Sequence, residues 1–225
     1  MSELTQLTFQ IGWIAMLLGG IVFFVMNRSV PASERHHGVV AMAIVFIAFA
    51  NYLAMARGYG DVTIDGHQIF FARYVDWVIT TPLLLLSLAL VASRRATELA
   101  GLVGALVFAD IYMIVTGLVG DLVGGVDKYI WWFISMVAFL AVLAIIWGPL
   151  RKLAENSPYG NAYTRLAGLL TVLWVIYPFV WLFGTSGMEV LSPGVEGVAY
   201  LILDVSAKVG FGFLVIGAAR QARIA

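Results

Sequence analysis

The chain is a succession of long apolar runs, each bounded by charged or turn-forming residues. An α-helix needs about 20 mostly apolar residues to cross the hydrocarbon of a bilayer. Seven runs approach or exceed that length: Leu4 to Asn27, Gly38 to Ala56, Phe71 to Ser93, Leu99 to Gly120, Tyr129 to Leu150, Leu166 to Met188 and Gly197 to Ala219. Between the second and third, Asp61-Val-Thr-Ile-Asp65-Gly66-His-Gln-Ile-Phe places Asp-Gly between two β-prone segments. That pattern predicts a β-hairpin closed by a type I′ turn. The other connections are short, and no sequence period repeats, so residues 1–225 read as one domain. The predicted fold is an all-α membrane protein of seven transmembrane helices, with the hairpin between helices 2 and 3.

Composition agrees. The chain is 62% hydrophobic and 12% charged, against about 45–50% and 25% in soluble domains. Thirteen basic residues balance thirteen acidic ones, so a nucleic-acid partner is not expected. Cysteine is absent, and the histidines (His36, His37 and His67) all lie outside the apolar runs. No metal site within the membrane is expected. The first 20 residues lack a basic n-region, and their apolar run is too long for a cleaved signal.

Basic residues set the expected orientation. Arg28, Arg35, Arg94, Arg95, Arg151, Lys152, Arg165, Arg220 and Arg223 fall on one side of a seven-span arrangement. The other side has only Arg57 and Lys128, among several acids. The positive-inside rule then places the N-terminus and the hairpin outside, in a multi-pass protein of a prokaryotic cell membrane.

Charges inside apolar runs point to chemistry, because each would cost about 2.5–3.5 kcal/mol if left unpaired. In Tyr200-Leu-Ile-Leu-Asp204-Val-Ser-Ala-Lys208-Val-Gly210, a carboxylate and an amine stand four residues apart, on one helix face. A buried lysine is suited to Schiff-base chemistry; a structural ion pair is the competing reading. The third run carries Arg73, Asp76, Thr80 and Ser87 as a polar stripe, with Pro82 expected to bend the helix. Thr80 and Ser87 can also be accounted for by bonding to the carbonyl four residues back. Trp174, Tyr177, Pro178 and Trp181 form an aromatic stripe in the sixth run, and Trp77, Trp131 and Trp132 add flat side chains elsewhere. These residues alone describe a seven-helix membrane protein with a buried lysine, two counter-charges and a slot for a flat or rod-shaped apolar ligand.

Leu203-Asp204-Val-Ser-Ala-Lys208-Val-Gly-Phe-Gly212, Arg73-Tyr-Val-Asp76-Trp77 with Thr80-Thr81-Pro82, Trp174-Val-Ile-Tyr177-Pro178-Phe-Val-Trp181, Gly58-Tyr-Gly60 and Trp131-Trp132 resemble the corresponding segments of the microbial (type 1) rhodopsins. The likeness spans essentially the whole chain and is strongest to the bacteriorhodopsin- and proteorhodopsin-like proton pumps. It implies all-trans retinal bound covalently to Lys208 as a protonated Schiff base, in a transporter rather than an enzyme. Asp76 would be the primary counterion and proton acceptor, Asp204 the second, and Thr80 would hydrogen-bond Asp76. Arg73 would set the field below them, with Tyr52 and Tyr177 holding Asp204. Trp77, Trp174 and Trp181 would sandwich the polyene, with Thr81 and Pro178 in the pocket. Met113, Gly117, Trp132, Ser135 and Phe139 would surround the ring end, Leu84 would tune colour, and Asp110 would be structural. A homo-oligomer, trimer or pentamer, in membrane lipid is implied. Trp132 stands where carotenoid-binding relatives have glycine, so no carotenoid antenna is expected.

The third-helix pump motif reads Asp76-Thr80-Ser87, with no carboxylate at the cytoplasmic donor position. Glu196 matches one member of an extracellular release pair; its partner position holds Ser186, with Glu189 near enough in sequence to substitute. The resemblance therefore leads to a light-driven outward proton pump without an internal donor, or alternatively to a photosensor that signals through a transducer. Sodium pumping, chloride pumping and inward proton pumping call for other residues at the motif positions or at position 204.

Overall fold

The computed structural model describes residues 1–64, 66–93, 96–155, 157 and 159–221, the side chains of 96–98 excepted. Seven long apolar helices dominate it: α1 (Glu3–Asn27), α2 (Arg35–Ala56), α3 (Phe71–Ala92), α4 (Ala96–Val123), α5 (Asp127–Glu155), α6 (Gly160–Phe183) and α7 (Pro193–Gln221). All seven are long and apolar enough to cross a membrane. Sequential helices pack as neighbours and α7 returns against α1 and α2, which closes the bundle around α3. Of the seven, α3 is the most enclosed and α4 the least. Large apolar side chains such as Phe108, Phe133, Leu140 and Val172 face outward. In a bilayer such a surface meets lipid rather than water.

Local chemistry fixes the helix ends. Ser2 caps α1 by accepting from the Thr5 amide, and Ser192 caps α7 with Pro193 as its first residue. Helix α6 starts six residues before the predicted Leu166 and stops at Phe183, five short of Met188. The stop is a glycine-rich reversal. The Gly184 amide bonds back to Val180, Met188 bonds to the Leu182 carbonyl, and Glu189 takes a positive φ of 58°. Hydropathy favours extending the run, but glycines at 184 and 187 permit the turn that brings Thr185 back over α7.

The hairpin forms as predicted, with β1 (Val62–Ile64) antiparallel to β2 (His67–Ile69) and Ile64 opposite His67. Gly66 lies at φ 82°, as a two-residue turn requires. Asp65, on which the type I′ assignment also rests, lies outside the described residues, as do Arg94, Arg95 and Arg223 of the orientation argument.

Two helices contain one wide π turn each, Ile146–Leu150 in α5 and Ser206–Gly210 in α7. The first holds Pro149, and the Tyr163 hydroxyl donates to the Ile146 carbonyl at 2.5 Å. The second holds Lys208 itself. Such turns add a residue to the helix circumference and concentrate at functional positions. Pro82 lies within α3, which continues as helix to Ala92.

Gly12 of α1 abuts the ring of Tyr52 so closely that a Cβ there would overlap it. Gly12→Ala is expected to cost about 1–3 kcal/mol through overpacking, read as a lower unfolding temperature in detergent. An unchanged transition would show that Tyr52 can move aside freely.

Candidate functional site

Lys208 is 2% exposed, and its Nζ donates to two carboxylates, Asp76 Oδ2 at 2.6 Å and Asp204 Oδ1 at 2.8 Å. The helical i, i+4 relation supplies one contact and the face of α3 supplies the other. Burying an ammonium and two carboxylates costs several kcal/mol per ion unless every partner is satisfied. At Asp204 that condition is met by donors from three further helices. Tyr52 donates to Oδ2 at 2.7 Å, and Oδ1 accepts from Tyr177 at 2.8 Å and from the Trp77 indole at 3.1 Å. Asp76 differs. Its Oδ2 takes the lysine, while no donor among the described residues reaches Oδ1.

Thr80 lies one turn from Asp76 on α3 and makes the back-bond that helix geometry allows it. Its hydroxyl donates to the Asp76 backbone carbonyl at 2.8 Å, the bond a threonine in a helix makes four residues back. Ser87 departs from that pattern. Fully buried, its Oγ has no partner among the described residues, so it does not make that back-bond. Thr81 donates to the Trp77 carbonyl and to Asp110 Oδ2, at 2.7 and 2.6 Å, tying α3 to α4. Asp110 is fully buried but is not itself a lining residue of the cavity beside Lys208; it meets that wall through Thr81.

Beside Lys208 lies a predominantly apolar cavity walled by side chains of α3, α4, α5, α6 and α7. Trp77, Thr81, Leu84, Met113, Gly117, Trp132, Ser135, Phe139, Trp174, Tyr177, Pro178 and Trp181 all line it, with Asp204 and Lys208. Tyr52 is not among the lining residues; it reaches the site only through Asp204. Ser135 bonds the Met113 carbonyl and Trp132 the Pro178 carbonyl, which fixes the α4–α5 and α5–α6 seams of the wall. The cavity also has Tyr74, Ile114, Met136, Tyr200 and Ala207 in its wall, none of which sequence reasoning assigned to a pocket. Spacing could have found two of them. Tyr200 stands four residues before Asp204 on the same face, and Tyr74 begins a second stripe on α3 with Trp77, Thr81 and Leu84.

Toward the hairpin face, Arg73 pairs with Glu196 at 3.7 Å, its guanidinium 4.3 Å from the centre of the Tyr200 ring. Glu196 is 4% exposed and accepts from the Thr185 amide and hydroxyl at 3.0 and 2.7 Å. Glu189, offered from sequence as a companion to Glu196, is exposed on its turn, and Thr185 is the residue beside Glu196 instead. Ser186 lines a small polar pocket together with Arg73, Thr185 and Glu196.

The geometry defines a membrane helix bundle holding an enclosed amine against two carboxylates at one end of an aromatic cavity. Such a cavity fits a flat conjugated aldehyde, with the amine as its attachment point. Residues 3–222 match the family described as bacteriorhodopsin-like protein, and the chain belongs to that family, whose members bind retinal through a lysine Schiff base. It is 40% identical to archaerhodopsin-3 of Halorubrum sodomense, over 92% of this chain and 81% of that one. It is 35% identical to sensory rhodopsin-2 of Natronomonas pharaonis, over 99% and 92%. Its fold matches the light-driven proton pump Coccomyxa subellipsoidea rhodopsin with a TM-score of 0.88 at 34% identity, over 96% and 97% of the two chains.

Asp204→Ala removes the acceptor from four donors at once. The expected loss is about 3–5 kcal/mol, the usual result of leaving a buried charge uncompensated, measured as the unfolding midpoint of the retinal-free protein. A midpoint equal to wild type would show that the four donors do not depend on this carboxylate.

Proposed function

We propose that the protein is a light-driven outward proton pump that binds all-trans retinal on Lys208. Bound there, retinal supplies a light-triggered displacement of the lysine nitrogen and a change in its basicity. The observation that carries the reading is the unequal state of the two carboxylates. Protonating Asp204 would disturb hydrogen bonds from Tyr52, Tyr177 and Trp77, whereas Asp76 has an oxygen that no donor among the described residues occupies. Asp76 is therefore the acceptor, and Asp204 the fixed countercharge.

Arg73 and Glu196 continue the polar path from Asp76 toward the hairpin face, which basic-residue placement makes the outer one. Ser87 occupies the donor position of the Asp76-Thr80-Ser87 motif, and a hydroxyl is too weak an acid to deliver a proton near neutral pH. Uptake then runs from the cytoplasm through water. Outward transfer of one charge against 100 mV costs about 2.3 kcal/mol, a small fraction of a visible photon. The likeness to a solved light-driven proton pump supports this reading.

A sensory role is the second reading, favoured by 35% identity to sensory rhodopsin-2 across nearly the whole chain and by the slow cycle that a missing donor implies. Transport separates the two. Illuminated cells making the protein and given retinal are expected to acidify their medium, an uncoupler should abolish the effect, and Asp76→Asn should abolish it while a visible band remains. Alkalinisation, or no pH change with the band intact, overturns the pump. In detergent-solubilised wild type, where both faces meet the same buffer, recovery of the visible band after a flash should slow as pH rises from about 6 to 9. Ser87→Glu should speed recovery and flatten that dependence. Fast, pH-independent recovery in wild type would reveal an internal donor.

A further inference from the structure

Tyr74 and Trp181 line the cavity, but their polar atoms form a separate chain of contacts leading away from Lys208. The Trp181 indole donates to the Tyr74 hydroxyl at 2.9 Å, and Tyr74 donates to Asp121 Oδ2 at 3.1 Å. Asp121 Oδ1 lies 3.1 Å from Nε2 of His67, on strand β2. A carboxylate only accepts, so His67 presents a protonated Nε2 to it. Asp121 is 7% exposed, while the His67 side chain keeps 29% of its surface open. The line of contacts therefore runs from the rim of the hairpin to the cavity wall.

Asp121 needs a cation. It stands in the last turns of α4, where the negative end of the helix dipole disfavours a carboxylate. The nearby permanent cations are committed elsewhere, Arg73 to Glu196 and Lys128 to the Gly187 carbonyl. His67 is left, and histidine can carry or release that charge near neutral pH.

We infer that His67 and Asp121 form a proton-binding site on the hairpin face, and that the charge on His67 is passed to the cavity wall through the Tyr74 hydroxyl and the Trp181 indole. Hydrogen bonding to Asp121 raises the His67 pKa above its ordinary value, burial opposes the rise, and the charges of Asp121, Glu189 and Glu196 add to it. A raised pKa means that the paired, charge-compensated state and its stabilisation are complete at low pH and are lost as pH rises through the histidine's folded-state value. Asp121 then carries uncompensated charge and draws the Tyr74 proton more strongly. The Tyr74 oxygen in turn becomes a better acceptor for the Trp181 indole, since chained hydrogen bonds polarise one another. Only the spectral consequence rests on the cavity being a retinal site; the relay is a property of the chain.

The test is nuclear magnetic resonance of the full-length protein in lipid nanodiscs, with and without retinal. The Trp181 indole N–H resonance, identified by its loss in Trp181→Phe, should shift with the same midpoint as the His67 ring. Asp121→Asn should return the His67 midpoint toward its ordinary value of about 6.5. His67→Gln should remove the Trp181 transition. Tyr74→Phe should remove it from Trp181 while His67 still titrates. With retinal bound, the visible band should show the same transition, absent in His67→Gln. A Trp181 resonance indifferent to the His67 midpoint overturns the inference, whether or not a visible band forms. A working relay in a protein that forms no visible band would leave this inference standing and overturn the retinal reading instead.

Discussion

The structure depends on keeping an ammonium group out of water. Lys208 has almost no contact with solvent, and two carboxylates within 2.8 Å compensate it. Each of those carboxylates must in turn be held where the lysine can use it, and this requirement spreads through the bundle. Asp204 recruits Tyr52 from α2, Trp77 from α3 and Tyr177 from α6. Tyr52 sits where it does because α1 offers Gly12 rather than a side chain against its ring. A residue on the first helix therefore has a part in placing a charge on the seventh. The π turn that contains Lys208 belongs to the same solution, since it changes the angular position of the lysine relative to the Asp204 turn below it.

The two carboxylates share one cation but live in different surroundings. Asp204 is surrounded by donors, whereas Asp76 bonds the lysine through one oxygen alone. The bundle is lopsided on a larger scale too. Toward the hairpin, Arg73, Glu196, Thr185 and Asp121 supply charged and hydroxyl groups in succession. In the opposite direction α3 offers Leu84, Leu85 and Leu88, with Ser87 the only hydroxyl of that stretch, all of them enclosed. A proton that left the lysine would find polar groups on one side and hydrocarbon on the other. That difference in dielectric environment would favour one exit before any moving part is considered.

Much of this was legible from the chain alone, for identifiable reasons. Length and hydropathy set the seven spans, because a bilayer leaves helices no cheaper way to satisfy their backbones. The Asp204–Lys208 pair was legible because a helix puts residues four apart on one face. Where the expectations failed, short-range geometry decided against them. The end of α6 was misplaced because Leu182 to Met188 is apolar enough to continue, and only the glycine turn shows that it does not. Trp77 was legible as a wall but not as a donor to Asp204, since composition says nothing of where an indole N–H is directed.

The residues missed in the cavity wall show a further limit. Helix α3 is read most readily as one polar stripe, Arg73, Asp76, Thr80 and Ser87, backed by apolar residues. It has a second functional stripe, in which Tyr74, Trp77 and Thr81 each follow a member of the first by one residue and Leu84 continues the line. A helix enclosed on most of its circumference has no solvent face for contrast, so periodicity cannot separate the two sets. Their division of labour is nevertheless sharp. The first stripe holds the charges that face Lys208 and Glu196, and the second supplies the cavity wall. Tyr74 and Thr81 of the second stripe also tie that wall to Asp121 and Asp110 of α4. Because both stripes are parts of one rigid helix, a displacement of α3 that alters the Asp76–Lys208 contact must also shift the aromatic wall and its bonds to α4. The charge cluster and the cavity are therefore mechanically a single unit.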